Sequence, residues 1–228
     1  DNLDKWNIFG KIGPQLYEKK AYELRDDNYV AKSKVHVLEL TYNTPTAEIY
    51  HGTNSSAYYL QENEFIRSSE YRNTLIANLC NKLDNNGLIL VDYIEHGELL
   101  LEALQLICKH KDVYFIQGSV DIEQRKDIQN YMEAQKNVIV IAISKIFSTG
   151  INIKNLHYIV FAGGGKAKIK IVQSIGRGLR LHIDKKELII FDIADNLRYG
   201  QRHAEQRLVL YDAEQIKYTF TQFNETKN

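Results

Sequence analysis

Apolar and polar positions follow two different rhythms along this chain, and the rhythm changes near residue 87. Beyond that point, short runs that are apolar at almost every position alternate with longer stretches of helical spacing. LILVD (88–92), VYFIQ (113–117), VIVIAI (138–143), HYIVFA (157–162) and ELIIFDI (187–193) read as strands. ELLLEALQLICKH (98–110), DIEQRKDIQNYMEA (121–134) and KIVQSIGRGLRL (170–181) read as helices, and a helix near 202–217 closes the chain. Strands that are apolar on both faces must be covered on both faces, which predicts an α/β fold with a mainly parallel sheet flanked by helices. Ligands of such sheets gather at the carboxyl ends of the strands.

Residues 1–86 read differently. Pro14 suits the first turn of a helix running to about Arg25. KVHVLELTY (34–42) alternates as a strand, and 43–62 is polar and loop-like. A long helix is predicted over 63–84, with Ile66, Leu75, Ile76, Leu79 and Leu83 on its buried face. There is no internal repeat.

Composition removes several function classes. The 228 residues carry 29 basic and 29 acidic side chains, so any anion site is a local patch and not a global charge. The two cysteines, Cys80 and Cys108, stand in apolar helical patterns without a CxxC, which argues against a disulfide framework or zinc cluster. The seven histidines lack ligand spacing, and no metal ligands are assigned. No apolar run reaches a membrane span and no signal peptide opens the chain, so a cytoplasmic protein without membrane contact is expected.

FAGGGKAKIK (161–170) is the first candidate for chemistry, because glycines and a lysine after a strand suggest a phosphate loop. GxxxxGK[ST] needs a glycine at 160 and a hydroxyl at 167, where Val160 and Ala167 stand. GxGxxG needs a third glycine where Lys168 stands. A flexible connector with solvated lysines accounts for the stretch better. Asp92 and Asp192, each closing an apolar strand, look like magnesium-holding acids, but neither is followed by Glu, and capping of the next helix is the simpler role.

The specific signal flanks that loop. FSTGINIKNLHYIVFA (147–162) and QSIGRGLR (173–180) match motifs V and VI of superfamily 2 helicases, LVDYIEHG (90–97) stands where motif IV belongs, and IQGSVDIEQR (116–125) follows in order. FGKIGP (9–14) is similar to the segment just beyond motif III. The chain thus resembles the C-terminal half of that family over nearly its whole length, most like a phage recombination helicase.

The resemblance implies a RecA-like domain over 33–200, preceded at 1–32 by the tail of a first motor domain and a linker, and followed at 201–228 by a C-terminal helical extension. It implies catalytic roles for Arg177 and Arg180 as arginine fingers, with Gln173. Arg177 and Arg180 are three apart, hence on one helix face, and guanidinium forks grip phosphate oxygens where charge develops. Gly150, Asn152 and Gly176 would contact ATP, although the family often has an acidic residue near Asn152. Thr149, Tyr93, His96, Gly118, Ser119, Lys166 and Lys168 would contact DNA, with capping and packing as the alternative for Tyr93 and His96.

ATP and magnesium are the implied cofactors, with the magnesium ligands in the first domain. No Walker A or DEx[HD] box is present, so the chain alone is expected not to hydrolyse ATP. The implied partners are that first RecA-like domain and DNA, branched or single-stranded. Two other readings remain: the motor half of a restriction or excision-repair translocase, and a stand-alone nucleic-acid-binding module. A nucleotide enzyme using the glycine loop is the third class.

Overall fold

The computed structural model describes Trp6, Gly10, Lys11, Gly13 and residues 32–52, 54–117, 122–144, 155–163 and 187–226. In chain order these form β1 (Lys32–Thr41), α1 (Thr46–Ile49), a 3-10 turn (Ser55–Ala57), α2 (Tyr58–Ser68), α3 (Glu70–Lys82), β2 (Gly87–Val91) and α4 (Ile94–Ile107). Then follow β3 (Asp112–Ile116), α5 (Ile122–Ala134), β4 (Val138–Ile143), β5 (Tyr158–Phe161), β6 (Glu187–Asp195), α6 (Arg198–Ala213) and β7 (Lys217–Asn224). The strands make one seven-stranded sheet in the order β3-β4-β2-β5-β6-β1-β7. Every pairing is parallel.

The alternation of side chains explains why the sheet is covered twice. Leu88, Leu90, Val140, Phe161 and Ile190 point into one core, which α5 and α6 close with Met132 and Tyr211. Ile89, Val91, Ile141, Val160 and Ile193 point into the other, closed by Ile76 and Cys80 of α3 and Leu100 and Leu104 of α4. The residues of β2 and β5, and all of β4 but Ile143, are therefore buried whichever face they take, as their unbroken apolar runs require.

Three local readings are corrected. The single helix expected over 63–84 is two helices. Ser69 takes extended backbone, and its side chain accepts the amide of Arg72, capping α3 and ending α2. The stretch 43–62 is not all loop, since it holds α1 and the first turns of α2. The closing helix ends at Ala213. Gln215, at φ 51, turns the chain into β7, which pairs with β1.

The amino-terminal edge is sealed by asparagines. Asn86, fully buried, donates to the carbonyls of Met132 and Gln135 and accepts the amide of Val138. Its own carbonyl accepts the amide of His157. Asn155 reaches the Met132 carbonyl as well. These bonds tie β2, α5, β4 and β5 together at the end of the sheet away from the site.

Candidate nucleotide and nucleic-acid edge

β4, β2 and β5 are neighbours and end at Ile143, Val91 and Phe161 on one edge. From these ends the chain leaves toward the segments singled out in sequence. Ser144 donates its hydroxyl to the Val91 carbonyl at 3.0 Å, and the amides of Ala162 and Gly163 both donate to the Leu90 carbonyl. The exits are thus held against one another.

Gly163 is needed for a close approach. A Cβ there would lie 2.5 Å from a carboxylate oxygen of Asp92. The first glycine of FAGGGKAKIK therefore lets the β5 exit pass Asp92. Asp192 is neither a strand-end acid nor a cap, because β6 runs on to Asp195. Its carboxylate accepts from Arg207 Nε at 2.7 Å and from the Tyr211 hydroxyl at 2.8 Å, in the core under α6.

Of the expected DNA-contacting residues, Tyr93 and His96 lie in the described part. Tyr93 is 38 % exposed at the start of α4, and the guanidinium of Arg67 sits 4.2 Å from its ring centroid. Arg67 also reaches Glu95 at 3.9 Å. His96 is 1 % exposed, and its Nε2 lies 3.2 Å from Asn73 Oδ1. A ring so enclosed offers no surface to a ligand in this conformation; it fastens α4 to α3. Arg177, Arg180, Gln173, Gly150, Asn152, Gly176, Thr149, Gly118, Ser119, Lys166 and Lys168 lie outside the described residues, as does the helix expected from Pro14 to Arg25.

The sequence reading missed the group that braces this edge. Arg72 is fully buried in α3, donates Nε and Nη2 to both oxygens of Asp195, and donates Nη2 to the Ala162 carbonyl at 2.8 Å. Tyr42 adds its hydroxyl to Asp195 at 2.5 Å. Burial, reinforced by the Asp195 carboxylate, pushes the Tyr42 hydroxyl well above its ordinary range, so it stays a donor. Burial opposes the charge on Arg72, but Asp195 and Tyr42 outweigh it and hold the guanidinium protonated. One side chain so joins α3, the β5 exit and the end of β6. A cation amid Leu75, Ile76 and Leu79 on a helical face was the only available sign, and it named no partner.

A second brace uses Glu62, buried in α2. It accepts the amides of Tyr199 and Gly200 at the start of α6, as well as the hydroxyl of Tyr50. α2 is thereby fixed across the carboxyl edge, from the start of α6 to Tyr93.

This seven-stranded, all-parallel sheet with helices on both faces is the RecA-like fold of the C-terminal domain of superfamily 2 helicases, and residues 70–182 match the helicase conserved C-terminal domain. The chain belongs to that family. It is 29 % identical over 95 % of its length to the ATP-dependent DNA helicase uvsW of Enterobacteria phage T4, covering 45 % of that protein. It is 27 % identical over 70 % of its length to the probable helicase D10 of Escherichia phage T5, covering 36 % of it. The crystal structure of T4 UvsW superposes with a TM-score of 0.69 at 30 % identity, over 84 % of this chain and 42 % of that one. The chain spans less than half the length of these relatives. No helix among the described residues is long and apolar enough to cross a membrane.

Proposed function

We propose that this chain is the second motor domain of an ATP-dependent DNA helicase or translocase, working with a first RecA-like domain that carries the Walker A and DExx elements. One observation supports this best: the exits of β4, β2 and β5 share one edge, and the motif IV, V and VI segments continue from those exits. The proposed boundaries are 1–32 for the end of the first domain and linker, 33–200 for this domain and 201–228 for the C-terminal extension. That extension holds α6 from Gln201 onward and β7, so it is not purely helical.

Arg177 and Arg180 are assigned to the γ-phosphate of ATP, with Gln173 beside them and Gly150, Asn152 and Gly176 against the nucleotide. Hydrolysis supplies the energy of translocation, and the guanidinium groups stabilise the charge that develops on the transferring phosphoryl group. Magnesium is assigned to ligands in the first RecA-like domain. Thr149, Gly118, Ser119, Lys166 and Lys168 are assigned to DNA phosphates, and Tyr93, with its exposed ring, to the same strand. His96 is assigned to packing. Branched DNA of recombination and replication, in the host cytoplasm, is assigned as the substrate and setting of the complete protein, ahead of a restriction or repair translocase; the T4 relative is named an ATP-dependent DNA helicase.

In the complete protein, Arg180→Ala should lower DNA-stimulated ATP hydrolysis by roughly 10³-fold or more while DNA binding persists. Hydrolysis at the unmodified rate would overturn the assignment. The 228-residue chain alone should show no DNA-stimulated hydrolysis.

A further inference from the structure

We propose that the cleft between α1, α2 and the start of α6 holds a base of single-stranded DNA. This rests on the helicase reading above and adds a site to it. The cleft measures about 510 Å³, within the range of ligand pockets, and its walls include Tyr50, Tyr58, Asn196, Leu197, Arg198 and Gln201. The rings of Tyr50 and Tyr58 meet at 52° with centroids 5.5 Å apart, forming an aromatic corner. The guanidinium of Arg198 lies 5.8 Å from the Tyr58 centroid and 5.5 Å from that of Tyr199. Ring faces, a cation and two side-chain amides are the groups that stack a base, hold its phosphate and bond its edge.

The corner is preformed. The Tyr50 hydroxyl is taken up by Glu62, and that of Tyr58 by the Gly52 carbonyl at 3.0 Å. What these rings can still offer is their faces, at little ordering cost.

A second stacked pair stands at the other end of the same helix, where Arg67 covers Tyr93. Tyr58 and Arg67 are the first and the tenth residues of α2, about two and a half turns apart, so they stand on opposite faces of the helix as separate stacking points. The Arg67–Glu95 contact is weak, because Glu95 is 72 % exposed, and a phosphate can replace it. Glu48 and Glu64, exposed on α1 and α2, count against a purely electrostatic grip. Stacking must then carry recognition, and the grip should depend little on salt.

The test uses the complete protein and a single-stranded oligonucleotide carrying 2-aminopurine, whose fluorescence falls when it stacks. Tyr58→Leu and, separately, Arg198→Gln should weaken binding about tenfold, the size of one lost base–aromatic stack, and reduce the quench. Tyr58→Phe keeps the ring, drops the bond to Gly52 and should bind and quench normally. Arg198 is exposed, so its variant reports on the cleft even if Tyr58→Leu unfolds. If both variants bind and quench like the unmodified protein while Arg180→Ala abolishes hydrolysis, the cleft proposal is overturned and the helicase reading stands. If no form binds the oligonucleotide, both fall. If excess AMP restores the fluorescence, the cleft takes free nucleotides and the proposal is likewise overturned.

Discussion

Arg72 and Asp195 form a fully enclosed ion pair, Nε to Oδ1 at 2.8 Å, although 123 residues separate them in the chain. Removing one partner strands a charge in the core. Arg72→Ala should destabilise the domain by about 3–5 kcal/mol, read as a lower urea midpoint. Arg72→Met combined with Asp195→Asn should cost less than the two single changes together, because neither charge is then left alone.

Glu62 caps α6 from another helix. Glu62→Gln keeps its shape but removes the charge that faces the amides of Tyr199 and Gly200. A loss of about 1–2 kcal/mol is expected. Hydrogen exchange should quicken first at those two amides; uniform exchange rates along α6 would contradict the capping role.

Gly97 lets α4 sit on β3. A Cβ at this position would stand 2.3 Å from the Phe115 ring. Gly97→Ala should cost about 1–3 kcal/mol through overpacking, even though alanine favours helix. Phe115→Leu in the same chain should restore part of it, which thermal unfolding of the three variants will measure.

Cys80 makes alkaline pH unfavourable. Burial first, and then Cys108, push its thiol from 9.0 up to about 12. The folded state keeps a proton that the unfolded chain releases, so this contribution is whole below pH 9 and is lost as pH rises toward 12. Urea midpoints should fall across that window, and less steeply in Cys80→Ala. The native thiol should also resist alkylation at pH values below 9.

The parallel sheet was legible because β2, β4 and β5 are apolar at consecutive positions, a pattern that only double coverage explains. β7 was not. KYTFTQFN is exposed at most positions, and its place beside β1 comes from pairing across the chain. The break at Ser69 depends on one cap inside an otherwise continuous helical pattern. Among the proposed site residues, the ordered motifs pointed to this edge and to Tyr93. Arg72, Glu62 and Arg198 escaped because a buried or stacked charged group is defined by partners that spacing does not reveal. His96 shows the converse: its position within a motif left DNA contact and packing both open, and the fold encloses it against Asn73.

β6 carries acids three residues apart, so they face opposite layers: Asp192 toward Arg207, Asp195 toward Arg72. A shift of this strand by one position would swap the faces and bury two carboxylates against carbon. The strand thereby rejects its own misalignment during folding, and only one threading of the chain leaves the β5 and β6 exits side by side.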